Sequence, residues 1–106
     1  MHTPRLVHLA RLIGRDAFIE ALGPPERIAN TEPRLRQRLS ALVDRRIDAI
    51  AASLIEEAAA SDDVTGADAA LVYAQDELAS FDDLLTEAQR TAILERFRAG
   101  VARWSA

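Results

Sequence analysis

Residues 32–60 read Glu32-Pro33-Arg34-Leu35-Arg36-Gln37-Arg38-Leu39-Ser40-Ala41-Leu42-Val43-Asp44-Arg45-Arg46-Ile47-Asp48-Ala49-Ile50-Ala51-Ala52-Ser53-Leu54-Ile55-Glu56-Glu57-Ala58-Ala59-Ala60. Leu35, Leu39, Val43, Ile47, Ile50, Leu54 and Ala58 recur at steps of three and four, the helical period, and Leu42, Ala51 and Ile55 widen the stripe. No glycine interrupts the run. Its proline, Pro33, falls in the first turn, where a missing N–H costs nothing. Thr31 is placed to cap the start, with Glu32 beside the positive end of the helix dipole. The pattern predicts one continuous helix over 32–60, about 43 Å long at roughly 1.5 Å per residue. A compact domain of this chain length is a sphere roughly 34 Å across. The helix is therefore expected to project or to be covered by a partner.

The 106 residues suffice for one domain with one modest core. The apolar fraction is 49% and the aromatic fraction 5%, so a thin core with close, alanine-lined helix crossings is expected. There is no Cys, which excludes disulfides, thiolate chemistry and cysteine metal sites. No apolar run approaches the roughly 20 residues of a membrane span. Residues 1–22 mix Arg, Asp and Glu among their apolar residues and lack the clean stretch of a secretion signal. A cytoplasmic protein is the expectation.

All 13 basic residues are Arg. Arginine favours planar, bidentate pairing with carboxylates or phosphates, but GC-rich codon usage in a bacterial or phage genome is the simpler reason. The net charge of −4 is unevenly placed. Residues 1–52 carry nine Arg and six acids, residues 53–88 ten acids and no base, and residues 89–106 four Arg and one acid. An acidic middle between basic ends can pair with itself, within one fold or between copies.

Three further helices are predicted. Residues 4–22 form the first, with Leu6, Leu9, Ile13 and Ala17 on one stripe and Val7, Leu12, Phe18, Ile19 and Leu22 spreading apolar surface almost all round. Gly14 is a point where it can loosen, and Gly23 followed by Pro24-Pro25 ends it. After a 61–65 loop, Thr65 and Asp68 resemble a capping box for a helix over 66–80, with Leu71, Ala74, Leu78 and Phe81 on one face. Phe81-Asp82-Asp83-Leu84-Leu85 is read as a corner. Thr86 with Gln89 is the better capping box, so the last helix should start at Glu87 and run to about residue 104, carrying Ile93, Leu94, Phe97, Val101 and Trp104. No sustained alternation predicts a strand. The fold class is all-α: a four-helix, bundle-like single domain built around one long central helix, with helices near 4–22, 32–60, 66–80 and 87–104.

Chemical signatures are sparse. His2 and His8 are the two histidines and are six apart, off the i, i+4 spacing that puts a pair on one helix face. Asp62, Asp63 and Asp68 fail the calcium-loop test, because the third and fifth positions are Val64 and Gly66 and the twelfth is Tyr73. Glu56-Glu57 and Asp76-Glu77 are acidic pairs on helices, without the Glu-x-x-His motif of a di-metal bundle. The expectation is no metal, no cofactor and no catalytic residue.

Arg34, Arg36, Arg38, Arg45 and Arg46 form the densest basic group, with Arg34, Arg38 and Arg45 on one side of the long helix. Glu32 is spaced to pair with Arg36. Residues 21–28 suggest the turn of a helix-turn-helix, but Pro24, Pro25 and Pro33 would break any recognition helix there. Residues 45–80, a long helix followed by Val64-Thr65-x-x-Asp68 and a short helix, resemble the end of a histone fold. That resemblance implies a DNA-associated protein. The basic loop such proteins use is here Ser61-Asp62-Asp63.

The leading expectation is a small bacterial or phage interaction module, an adaptor or inhibitor, whose acidic face of Glu56, Glu57, Asp62, Asp63, Asp76 and Glu77 meets a protein with a basic surface. The excess apolar surface of the first helix predicts a homodimer, with Leu6, Leu9, Ile13, Phe18, Phe97, Val101 and Trp104 as self-association anchors. The alternative is a DNA-binding regulator or histone-fold-like protein contacting duplex through Arg34, Arg38 and Arg45. An enzyme ranks last, because no set of catalytic groups converges.

Overall fold

The computed structural model describes residues 4–28 and 33–104. His2, Thr31 and Glu32, with the capping and ion-pair expectations placed on them, lie outside the described residues. Within them the chain is all-helical, with no strand: α1 (Pro4–Ile13), α2 (Arg15–Leu22), α3 (Pro33–Arg45), α4 (Ile47–Ala60), α5 (Ala67–Ala79) and α6 (Glu87–Val101), with a 3-10 turn at Pro25–Arg27.

Two of the expected helices are each divided. The 4–22 helix breaks at Gly14, whose φ of 110° is reached without strain by glycine alone. The 32–60 helix breaks at Arg46, with φ −118° and ψ 21°. There the Arg46 N–H turns back to the Val43 carbonyl at 2.9 Å, one residue short of the α-helical partner, and the ladder resumes with Ile50 N–H on the Arg46 carbonyl. The long helix is therefore two helices, and the described residues form no single central rod.

The two breaks face each other. Arg46 Nε donates to the Ile13 carbonyl at 3.1 Å and Ser53 Oγ to the Leu12 carbonyl at 2.9 Å. Both are last-turn carbonyls of α1, which have no partner inside their own helix. A Cβ on Gly14 would stand 3.1 Å from Arg46 Nη2. Bending at Arg46 thus lets its side chain close the end of α1. Arg46→Ala is expected to lower unfolding stability by about 1–2 kcal/mol, read by urea denaturation, since a partly buried carbonyl loses a charged donor.

α4 is the hub. It packs against α1, α5 and α6, while α2 packs on α1 and α3. Ile50, Ala51, Leu54 and Ala58 bring it into the core with Leu9 and Ile13 of α1, Ala70, Ala74 and Leu78 of α5, and Ile93 and Phe97 of α6. The small residues among these keep the helix crossings close. Gly100 of α6 sits so near α4 that a Cβ there would lie 2.3 Å from Ile55 Cδ1.

The α5–α6 corner turns on Phe81, whose carbonyl accepts from the N–H groups of Leu84 and Leu85 at 2.8 and 2.9 Å. Phe81 and Leu85 are buried under it. The Thr86–Gln89 capping box is formed and α6 starts at Glu87, as its sequence predicts. The Thr65–Asp68 box is not formed. Gly66 takes the cap position without a side-chain hydrogen bond, and Asp68 instead lies in the first turn of α5, beside the positive end of the dipole. α6 stops at Val101, and Trp104 closes a turn by donating its N–H to the Val101 carbonyl. The molecule measures 42 × 24 × 22 Å. No helix among the described residues is long and apolar enough to cross a membrane.

Candidate functional site

Three helices bring titratable side chains together at one place. His8 lies on α1, Glu57 near the end of α4, and Tyr73 and Glu77 one helical turn apart on α5. His8 Nε2 stands 3.5 Å from Glu57 Oε2 and 3.4 Å from Glu77 Oε2. Tyr73 donates its hydroxyl to Glu57 Oε1 at 3.2 Å. The His8 ring meets the buried Phe81 ring edge-on, with centroids 5.4 Å apart, a packing contact that helps fix the imidazole. The side chains of His8, Glu57 and Glu77 are 31%, 27% and 27% exposed, so the group borders solvent without being open to it.

Burial, then the charges of Glu57 and Glu77 and the hydrogen bond to Glu57, push the Tyr73 phenol up to about 12. It remains a donor at every physiological pH. The chain has one Tyr, so its phenolate absorbance reports this site alone. The expected midpoint is near pH 12, against about 10 in the unfolded chain. The sign follows from linkage. Between those values the unfolded state has lost the proton that the folded state retains, so fold stability falls as pH rises through that window.

Sequence spacing does not reveal this site. A test for paired ligands on one helix misses His8, because its neighbours come from two other helices, and Tyr73 gave no signal of its own. The charge pattern groups Glu57 and Glu77 with the acidic face, whereas in the structure both stand beside His8. Glu56, Asp62, Asp63 and Asp76 are exposed, and their side chains make no hydrogen bond or ion pair among the described residues.

Pairing between the acidic middle and the basic ends is limited. Arg5 forms a bidentate pair with Asp83, which holds that carboxyl below the ordinary range, and Arg36 donates to the Asp83 carbonyl. Arg96 pairs with Asp48, and Arg15 with Glu26 at 2.7 Å.

The arginines of the duplex reading lie on α3. Arg38 donates to the Ala21 carbonyl at the end of α2, while Arg34 and Arg45 are exposed. Of the anchors expected for self-association, Leu6, Leu9, Ile13, Phe18, Phe97 and Val101 are buried within the single chain, and Trp104 is half-buried beside Val64, Thr65 and Arg103. Val72 is the exposed large hydrophobic among the described residues.

Compared with family models, curated proteins and solved structures, the chain gives no significant match.

Proposed function

We propose that the chain is a non-enzymatic interaction module that engages a protein with a basic surface through the acidic stretch running from the end of α4 into α5. The observation behind this reading is that Glu56, Asp62, Asp63 and Asp76 are exposed and unpaired. They lie in a stretch, residues 53–88, with ten acids and no base. Such a surface carries a standing negative potential that steers and orients a positively charged partner.

The duplex-binding alternative is weaker on two grounds. Arg38 is engaged with the Ala21 carbonyl, and the net charge of −4 opposes approach to phosphate. A homodimer built on Leu6, Leu9, Ile13, Phe18, Phe97 and Val101 would require α1, α2 or α6 to exchange between copies, because one chain already buries them.

The test is affinity capture from a bacterial lysate at physiological salt, followed by the fourfold variant Glu56→Arg, Asp62→Arg, Asp63→Arg and Asp76→Arg. The wild type is expected to retain a basic protein. The variant should lose at least tenfold of that retention with an unchanged helical circular dichroism spectrum. Equal retention by both forms, or retention of no basic protein, would end this reading.

A further inference from the structure

We propose that His8, Glu57 and Glu77 form a binding site for one divalent transition-metal ion, with Zn2+ the best fit. His8 Nε2 and one oxygen of each carboxylate are its protein ligands, and a fourth position faces solvent. The inference is independent of the interaction surface and stands on the geometry of three side chains from three helices.

The spacing matches a metal polyhedron. Zn–N and Zn–O bonds of about 2.0–2.2 Å in a tetrahedron place neighbouring ligand atoms roughly 3.3–3.5 Å apart. The two imidazole–carboxylate separations are 3.5 and 3.4 Å. All three ligand atoms lie within 4.8 Å of one another. Closing the remaining carboxylate–carboxylate edge needs only rotation about a terminal Glu torsion, which is soft.

The donor chemistry selects the ion. One imidazole nitrogen with two carboxylate oxygens suits Zn2+ and its first-row neighbours, whereas Ca2+ seeks six to eight oxygens and Mg2+ retains its waters. The charges also close, since two carboxylates neutralise a dication bound to a neutral imidazole. The two glutamates approach the same imidazole nitrogen from α4 and α5, at a place that is only partly open to solvent.

The surroundings are those of a supported site. Tyr73 donates to Glu57 Oε1, while the other oxygen, Oε2, is the one beside His8 and is left for the ion. Hydrogen bonds of this kind orient ligating carboxylates and raise metal affinity. Phe81 packs edge-on against the His8 ring. A bound ion would tie α1, α4 and α5 together and stabilise the fold by mass action.

The competing reading is a structural contact of His8 with the two glutamates and no metal bound. Titration calorimetry of ZnCl2 into the chelator-stripped full chain separates the two. The proposal expects one Zn2+ per chain, a raised thermal midpoint, and the absorption bands of a four-coordinate ion when Co2+ replaces Zn2+. His8→Asn and Glu77→Gln should each weaken binding at least tenfold, with Tyr73→Phe about tenfold weaker through its outer contact. His2→Ala should leave binding unchanged, which excludes the N-terminal histidine as the ligand. Circular dichroism checks that each variant is folded. If Glu77→Gln alone fails to fold, Glu57→Gln takes its place, and the Co2+ spectrum of the wild type decides independently. Absence of saturable binding, or binding that survives His8→Asn, would overturn the proposal and leave a structural contact without a metal.

Discussion

Phe97→Ala is expected to lower the free energy of unfolding by about 3–5 kcal/mol. Phe97 is fully buried on α6, the helix that packs against both α4 and α5. Removing its ring takes away the transfer free energy of the apolar atoms and leaves a cavity that its neighbours fill only in part. Aromatics are 5% of the chain, and Phe18, Phe81 and Phe97 are the largest side chains wholly buried. Few other groups of that size can compensate in a core that is otherwise aliphatic. Because a domain of this kind has about 5–15 kcal/mol in total, the variant should be marginal at room temperature. Urea unfolding followed by the single Trp checks this, with the midpoint falling and the slope unchanged. A loss below about 1 kcal/mol would mean that α6 is not packed as described.

Gln89→Met is expected to cost about 2 kcal/mol, a large effect for a substitution of similar size and greater apolarity. Gln89 is the buried polar side chain among the described residues. Its Oε1 accepts from the Thr86 N–H at 3.0 Å, which completes the capping box. Its Nε2 faces the Ser40 carbonyl, Ser40 Oγ and Asp44 Oδ1 at 3.1, 3.0 and 2.9 Å. Methionine would leave the Thr86 N–H without its acceptor and Ser40 Oγ and Asp44 Oδ1 without the amide donor, and an unmade bond in a part-buried place costs more than the extra apolar contact returns. Thr86→Ala, which removes only the cap, should cost about 1 kcal/mol. A near-neutral Gln89→Met would show that water replaces the amide and that α3 is not tied to α6 through it.

These two residues show what a sequence can and cannot disclose. The Thr86–Gln89 box is legible because both partners lie within one helical turn and the capping preference is local. The buried stripe Leu39, Val43, Ile50, Leu54 and Ala58 is legible for a similar reason, since the helical period persists across the bend. The bend itself is not. Nothing near Arg46 breaks a helix, and the structure bends where its guanidinium reaches Ile13, a residue 33 positions earlier. Leu6, Leu9 and Ile13 read as surplus apolar surface, because sequence alone did not show that one chain buries them. The bond from Gln89 to Ser40 is invisible for the reason that hides Arg46.

The same holds for His8, Glu57, Tyr73 and Glu77. Each is ordinary in its own segment, and their chemistry arises where α1, α4 and α5 meet. The exposed acids were legible from charge counting alone, which needs no knowledge of packing.

Light scattering of the pure protein at low and high salt reads most directly whether one chain closes its own core around α4 and leaves its charged face to a partner. The expected mass is that of a single chain, 11.6 kDa, at both salt concentrations. A stable particle of twice that mass at both would contradict it, and would place the apolar residues of α1 or α6 in an interface shared between copies.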